Sequence, residues 1–398
     1  MTPPESYALV IIGSGPAGVS AAAAYVEAGG PGPVLLVSAD DDEHYERPPL
    51  SKGVLTGEDP AERQPILDED DLAEVEVRHG VEVGVLDPVG HRVLGEGLDV
   101  GYQRLVVATG SAPVPFPGAA EDADVHYLRS LADGRRLAEA AASAGSAVVI
   151  GSGFIGCEAA ASLAGRGVST TLVTPEQTPL GARLGEWAGH QVATWLRDAG
   201  VDLHTEVEVD RIEAPRVVRT EDGSALSPDL VLVAVGATQE RDFLAVADLQ
   251  SEDGRLALDS RLRTSDPAIW AAGDVALAEH AVAGRPLAVE HWGDALGMGE
   301  LAGRNAAADA SGSDQEEWDS APGFWSTIGE HTLKYSAWGD GYDEARVVEG
   351  DDGAFTVWYA DAQGELVGVL THEHDEDYER GGDLLARRAS LEEAVAGG

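Results

Sequence analysis

The chain has 398 residues, 43% of them hydrophobic, with 71 Asp and Glu against 26 Lys and Arg and a formal net charge of −45. That length suggests two or three domains with a large core, and a single cysteine, Cys157, excludes intrachain disulfides and agrees with a reducing cytoplasm. So acidic a surface speaks against nucleic acid, whose phosphates need basic partners; the plain reading is a heavily solvated surface suited to high salt or resistant to association.

No apolar run approaches a membrane span, and no basic and then apolar segment precedes the first strand, so a cytoplasmic protein without an export signal is expected. Only two of the 26 basic residues are lysines, Lys52 and Lys334. Against that arginine bias, each lysine invites a question.

Ala8–Ile12 reads as a strand without polar alternation, as in a parallel sheet buried on both faces. Gly13, Ser14, Gly15, Pro16, Ala17 and Gly18 follow, then an alanine-rich helix from about Val19 to Ala28. The glycines permit a tight turn and a close approach of backbone to a pyrophosphate, whose charge the helix N-terminus favours. Between strand and helix, this GxGxxG is a dinucleotide fingerprint, the alternative being a tight turn with no ligand. Val34–Val37 reads as the second strand, ending near Asp40, where an acid holds the adenosine ribose of a dinucleotide. Asp41, Asp42 and Glu43 make a solvated acidic turn an equal reading. In Glu46-Arg47-Pro48-Pro49-Leu50-Ser51-Lys52 two prolines stiffen the backbone between Arg47, suited to a phosphate, and Lys52, a compact ammonium suited to a reacting centre. A stiffened surface loop is the alternative.

Together these features resemble the FAD-dependent NAD(P)H reductases that serve ferredoxins in oxygenase and cytochrome P450 systems, whose second segment reads RPPLSK as Arg47–Lys52 does. This is a flavin-only branch of the pyridine nucleotide-disulfide oxidoreductases. Related disulfide reductases carry a redox cysteine pair in the corresponding region; this chain has none there, so a flavin-only mechanism is implied. The resemblance implies an α/β fold with two Rossmann-like dinucleotide-binding domains of the three-layer ββα type, one inserted in the other, plus a C-terminal α+β domain. The implied boundaries are 1–112 and 238–314 for FAD, 113–237 for NAD(P)H and 315–398 for the C-terminal domain.

Under the same resemblance, Val81-Glu82-Val83 is the strand whose backbone meets the adenine, with Val83 a cofactor contact. Leu105–Val107 leads into Ala108-Thr109-Gly110, similar to the ATG motif where the chain leaves the FAD domain, and Pro113, Pro115 and Pro117 stiffen the boundary. Arg129 aligns with an arginine that reaches FAD; otherwise it is an ordinary surface charge.

A second apolar strand, Val148–Ile150, runs into Gly151-Ser152-Gly153-Phe154-Ile155-Gly156, and two such units in one chain favour two dinucleotides, FAD and NADH or NADPH. Glu158 lies in the first turns of the following helix, where the dipole stabilises an acid. The resemblance is sharper: it gives this glutamate a contact with the nicotinamide and a pairing with the lysine of RPPLSK. Lys52 and Glu158 are therefore expected to form an ion pair at the active site, as its catalytic residues. Cys157 reads as a small buried helix residue. The strand Thr170–Val173 leads to Thr174 where relatives often have a ribose-binding acid; Glu176 is the substitute that would favour NADH, and the nearest following arginine is Arg183.

Leu230–Ala237, containing Gly236, is a second ATG-like return. Ala268–Asp274 ends in Gly-Asp, and Asp274 matches an aspartate that binds the ribityl and pyrophosphate region of FAD. Glu290, His291 and Trp292 resemble a segment whose aromatic packs near the isoalloxazine; His291 reads as packing, since hydride transfer to flavin N5 needs no base. A helix over 293–309 and a polar linker over 310–315 follow. Pro322–Ser326 resembles the PxFWS opening of the C-terminal domain, and Ala354–Tyr359 and Leu366–Leu370 alternate as antiparallel strands do. After FWS the usual Asp-Gln-Tyr is replaced by Thr327-Ile328-Gly329. His372 and His374, set among acids, read as a solvated strand end in preference to a metal site.

The implied activity is hydride transfer from NAD(P)H to FAD and single-electron release to a ferredoxin-type iron–sulfur protein. A charge of −45 disfavours an acidic ferredoxin at low salt. Two alternatives stand: an NAD(P)H oxidase or quinone-type reductase with a small acceptor, and a flavin-bound signalling protein resembling apoptosis-inducing factor. Lys52 with Glu158 favours catalysis over the last.

Overall fold

The first apolar run is a strand, Glu5–Ile12, in which only the two leading residues are exposed. The computed structural model describes residues 5–239, 242–244, 246–339 and 341–397. The chain folds as two units, each assembled from three separated stretches. The first takes the chain up to Glu46, Arg63–Ala112 and Thr238–Phe324; the second takes Arg47–Glu62, Pro113–Ala237 and the chain from Trp325 onward.

In the first unit Glu5–Ile12 lies between parallel strands Val34–Val37 and Leu98–Val107, with Ile12 opposite both Val37 and Val107. Val75–Arg78 extends the sheet beyond Val34–Val37. Leu98–Val107 is long enough to serve two partners on its far side. Its first half pairs antiparallel with Arg92–Gly95, itself paired with Val83–Asp87; its last turns of chain pair parallel with Ile269–Ala271. The adenine strand was expected at Val81–Val83, but the observed strand begins at Val83. The Val81 N–H donates to the Ser38 carbonyl at 2.8 Å and that of Gly80 to the Asp40 carbonyl at 3.0 Å, so this backbone is bound to the end of the second strand.

The helix Pro16–Glu27 has Ala, Gly or Ser at seven of its twelve positions, and it is buried on several sides. It packs on Trp292–Ser311, where Gly299 and Gly303 meet Ala17 and Ala21 at the same spacing of four. A Cβ at Gly299 would stand 2.2 Å from the Ala17 carbonyl oxygen, and one at Gly303 would stand 2.3 Å from that of Ala21. Only glycine lets these two backbones come so close.

The second unit repeats the parallel design. Its sheet runs in the order Asp202–His204, Ser169–Val173, Ser146–Ile150, Leu230–Val233. A three-stranded antiparallel layer, Val209–Glu213, Val217–Thr220 and Ala225–Leu226, covers one face, and Val148, Ile150, Val173, Ile212, Val218, Val231 and Val233 form the dry core between them. A five-stranded antiparallel sheet follows in the order Gly323–Ile328, His331–Ala337, Leu366–His372, Phe355–Ala360, Glu344–Glu349, with helices Asp375–Ala386 and Leu391–Ala396 beyond.

The C-terminal histidines differ from their expected solvated state. His372 is buried, its Nδ1 lies 2.9 Å from the Thr332 carbonyl oxygen, and its ring packs against Trp195 and Phe355. His374 is 3.0 Å from the Thr356 hydroxyl. Among the described residues no cluster suits a metal ion, and no helix is long and apolar enough to cross a membrane.

Candidate active site

The two fingerprints are built alike. Gly13 takes φ +108° and Gly151 φ +104°, and a Cβ at either would lie 2.3 Å from a carbonyl oxygen, that of Ala108 or Ala234. At Gly18 and Gly156 a Cβ would reach 1.8 and 2.1 Å from the carbonyl oxygens of Gly13 and Gly151. Each following helix, Pro16–Glu27 or Phe154–Gly165, has a glycine N-cap, Gly15 or Gly153, and no side-chain cap. Its first N–H groups are therefore left open toward an anion.

The likeness extends to the next strand. Ser14 and Ser38 share a hydrogen bond of 2.7 Å between hydroxyls, as do Ser152 and Thr174. The hydroxyl at the strand end then accepts from the backbone N–H two residues on, Asp40 at 3.1 Å and Glu176 at 3.2 Å. These two acids occupy matching places, but their carboxylates do not fare alike. Asp40 accepts from the Tyr45 hydroxyl at 2.6 Å and from the Asp42 N–H at 3.1 Å. Glu176 has one buried carboxylate oxygen with no hydrogen-bond partner in the protein.

Further along the first unit, Asp274 is buried and accepts from the Ser111 hydroxyl at 2.6 Å, just beyond Ala108, Thr109 and Gly110. The Thr109 hydroxyl and the Trp292 indole nitrogen are buried and have no partner in the protein. Glu290 is engaged by Arg255 and, at 3.3 Å, by Gln239. His291 Nδ1 lies 2.8 Å from Asp294, and its ring centroid is 4.3 Å from that of Phe324.

The second unit holds Lys52 and Glu158 together. Lys52 Nζ donates to Glu158 Oε2 at 2.7 Å, across 106 residues of chain. The glutamate is 3% exposed, so its charge is matched inside the fold and not by solvent. Two further donors complete it: the Ser51 hydroxyl to Oε2 at 2.6 Å and the Ser326 hydroxyl to Oε1 at 2.7 Å.

Residues 47–62 are pinned by one face of the helix that carries Glu158. Ser162 Oγ donates to the Ser51 carbonyl at 2.7 Å, and Arg166, at the helix C-cap, donates to the Leu55 carbonyl at 3.0 Å. Glu158, Ser162 and Arg166 follow at intervals of four, which stacks them along one side. Arg47 precedes the short 3-10 turn Pro48–Ser51 and Arg129 precedes the helix Leu131–Ser143, both in the second unit. Phe154 lies under the Arg183 guanidinium at 5.8 Å, Ile155 is exposed, and Gly236 takes φ +118° while its carbonyl accepts from the Val114 N–H at 3.0 Å. Cys157 is wholly buried, and burial pushes its thiol well above the ordinary range, so it offers no nucleophile.

Sequence reasoning paired Lys52 with Glu158 but passed over Ser51, Ser162, Arg166 and Ser326. Ser51 and Ser326 stood in plain view as letters of RPPLSK and FWS, and the spacing of four marked Ser162 and Arg166. Nothing local says which way a serine points.

Comparison with known proteins follows the same lines. The family described as pyridine nucleotide-disulphide oxidoreductase matches residues 7–299. A ferredoxin–NAD(P)+ reductase from a Sphingomonas species is 30% identical over 97% of this chain and 94% of its own length. Putidaredoxin reductase from Pseudomonas putida is 30% identical over 98% and 94%. Among solved structures, the covalent putidaredoxin reductase–putidaredoxin complex contains a chain that matches with a TM-score of 0.88 at 27% identity, covering 99% of this chain and 98% of that one.

Proposed function

The chain belongs to the pyridine nucleotide-disulphide oxidoreductase family, and from that premise we propose that it is an FAD-dependent ferredoxin–NAD(P)+ reductase of the kind that serves oxygenase systems. The residues of the first unit suit FAD. Gly13, Gly15, Pro16, Ala17 and Gly18 make a tight turn, in which a Cβ at Gly13 or Gly18 would strike a carbonyl oxygen, and Asp40 stands where a ribose would be bound. Asp274 and the partnerless Thr109 hydroxyl supply polar groups beside it, Trp292 adds an indole N–H, and the backbone near Val83 is assigned to the adenine. When bound, FAD accepts a hydride from NAD(P)H and passes the electrons on singly.

Residues 113–237 are assigned to NAD(P)H. Gly151, Gly153, Phe154, Ile155 and Gly156 receive the pyrophosphate at an uncapped helix start. The carboxylate of Glu176, one oxygen of which has no partner in the protein, suits a ribose 2′-hydroxyl and would repel a 2′-phosphate, which favours NADH. Lys52 and Glu158 are the proposed catalytic pair: the lysine holds the carboxylate's charge, and the carboxylate orients the nicotinamide. The observation that carries this reading is the buried carboxylate of Glu158 in the opening turns of the second fingerprint helix, with two donors on Oε2 and one on Oε1.

The partner is proposed to be a ferredoxin-type iron–sulfur protein. Its docking is opposed at low salt by the charge of −45 if the ferredoxin is acidic. The test is NADH and NADPH oxidation by the flavin-loaded protein with ferredoxins, a quinone or ferricyanide as acceptor, across salt. Ferredoxin reduction is expected with NADH and should rise as the screening length falls from about 10 Å at 0.1 M toward about 3 Å at 1 M. Quinone turnover with no ferredoxin reduction at any salt would favour the small-acceptor alternative.

A further inference from the structure

Glu158 has more donors than an ion pair requires. Lys52 and Ser51 both donate to Oε2, and among the described residues Ser326 alone donates to Oε1. Lys52 is a compact charge on a flexible stem, and its side chain is 24% exposed. By itself it would leave the carboxylate plane free to turn about its last bond. The serines are of another kind: Ser51 is 2% and Ser326 1% exposed, each with a single short rotor packed in the interior. Ser51 is also held from behind, since its carbonyl accepts from Ser162. Hydroxyls on both oxygens, delivered from chain stretches on either side of the helix in sequence, determine the plane of the carboxylate as well as its place.

We propose that Ser326 and Ser51 are positioning residues for Glu158, fixing the orientation of its carboxylate independently of Lys52. The proposal rests on the reading of Glu158 as the group that orients the nicotinamide. Ser326 is the cleaner probe, because it is the one donor to Oε1 among the described residues. Losing a hydrogen bond to a charged group corresponds to roughly a tenfold change in rate or affinity.

The test is a double-mutant cycle with Ser326→Ala and Glu158→Ala on the flavin-loaded protein, read by stopped-flow bleaching of the flavin with NADH. Ser326→Ala is expected to slow bleaching about tenfold, with NADH affinity within about twofold of the parent. In the Glu158→Ala background the same change should cost less than about twofold, because the group it positions is gone. Thermal melting of the four proteins, which involves no turnover, should show the same loss of effect. An equal slowing by Ser326→Ala in both backgrounds, or none in the parent, overturns the proposal. If Glu158→Ala itself leaves bleaching unchanged, the reading of Glu158 has failed instead. Should Ser326→Ala not fold, Ser51→Ala enters the same cycle on the other carboxylate oxygen and is judged by the same outcomes.

Discussion

The two fingerprints use one device and part company in the opening turns of their helices. In both, glycines bring strand, loop and helix together, and a hydroxyl pair joins the loop to the second strand. The positions that follow differ. Where the second unit has Glu158, Ser162 and Arg166, the first has Ser20, Ala24 and Ala28 at the same offsets. The small face of Pro16–Glu27 is used for close packing on Trp292–Ser311, while Phe154–Gly165 and its C-cap turn a polar face to residues 47–62. The glycine motif thus specifies the turn proposed to receive a pyrophosphate, and the helix face behind it specifies what the helix packs against.

That difference can be broken at its centre. Lys52→Ala and Glu158→Ala should each slow flavin bleaching by NADH, on the order of 100-fold if the nicotinamide is misplaced, with FAD still bound. Lys52→Ala also strands a buried carboxylate, a change that costs roughly 3 kcal/mol when one partner of such a pair is removed, and less here to the extent that the two serines hold it. Its melting temperature should therefore fall further than that of Glu158→Gln. Equal bleaching in parent and both alanine variants would mean that the polar face is structural only.

The packing side of the comparison is tested at Gly299. Gly299→Val would drive a side chain into the Ala17 backbone, and overpacking of this kind costs about 1–3 kcal/mol or more. The expected readout is a lower unfolding midpoint together with weaker FAD retention, because Ala17 belongs to the cradle. An unchanged midpoint would show that the two helices can separate freely.

The matching acids offer a finer distinction. Glu176→Ala should weaken NADH binding about tenfold and strengthen NADPH binding, since the carboxylate that repels the 2′-phosphate is gone, narrowing the preference between them. Asp40, whose two oxygens are already engaged, should by contrast affect only FAD affinity when changed to Ala.

A last effect, the smallest, should fall on both units alike. Burial is the leading cause of the lowered proton affinity of His44 and His280 in the first unit and of His126 and His331 in the second. A base whose folded pKa lies below its unfolded value of about 6.5 contributes stability that is present above that pH and lost as the pH falls through it. Melting temperature should therefore drop by several degrees from about pH 7 to pH 5 in 1 M salt, where screening to about 3 Å removes the opposing relief of acidic repulsion. A flat profile under those conditions would mean that the histidines gain compensating partners on protonation.

Much of this was open to reading in the residues alone. The buried parallel strands announced themselves as apolar runs, Gly13–Gly18 and Gly151–Gly156 as close approaches of backbone, and the scarce lysine at position 52 as a group with a task. Such features are legible because their cause is local: a glycine or an unbroken apolar run has the same physical meaning wherever the chain goes. His372 was misread for the converse reason, since its acidic neighbours in sequence are not its neighbours in space, where Trp195 and Phe355 enclose it.

The amino-acid order by itself determined the two cradles, their succession along the chain and the charge types at Lys52 and Glu158. The tertiary structure alone decided that Arg47–Glu62 leaves the unit on either side of it to join the second, and that Ser51 and Ser326 close on Glu158 across 107 and 168 residues. A hydrogen bond between distant residues has no periodicity and no composition; it exists only once packing has brought donor and acceptor within 3 Å.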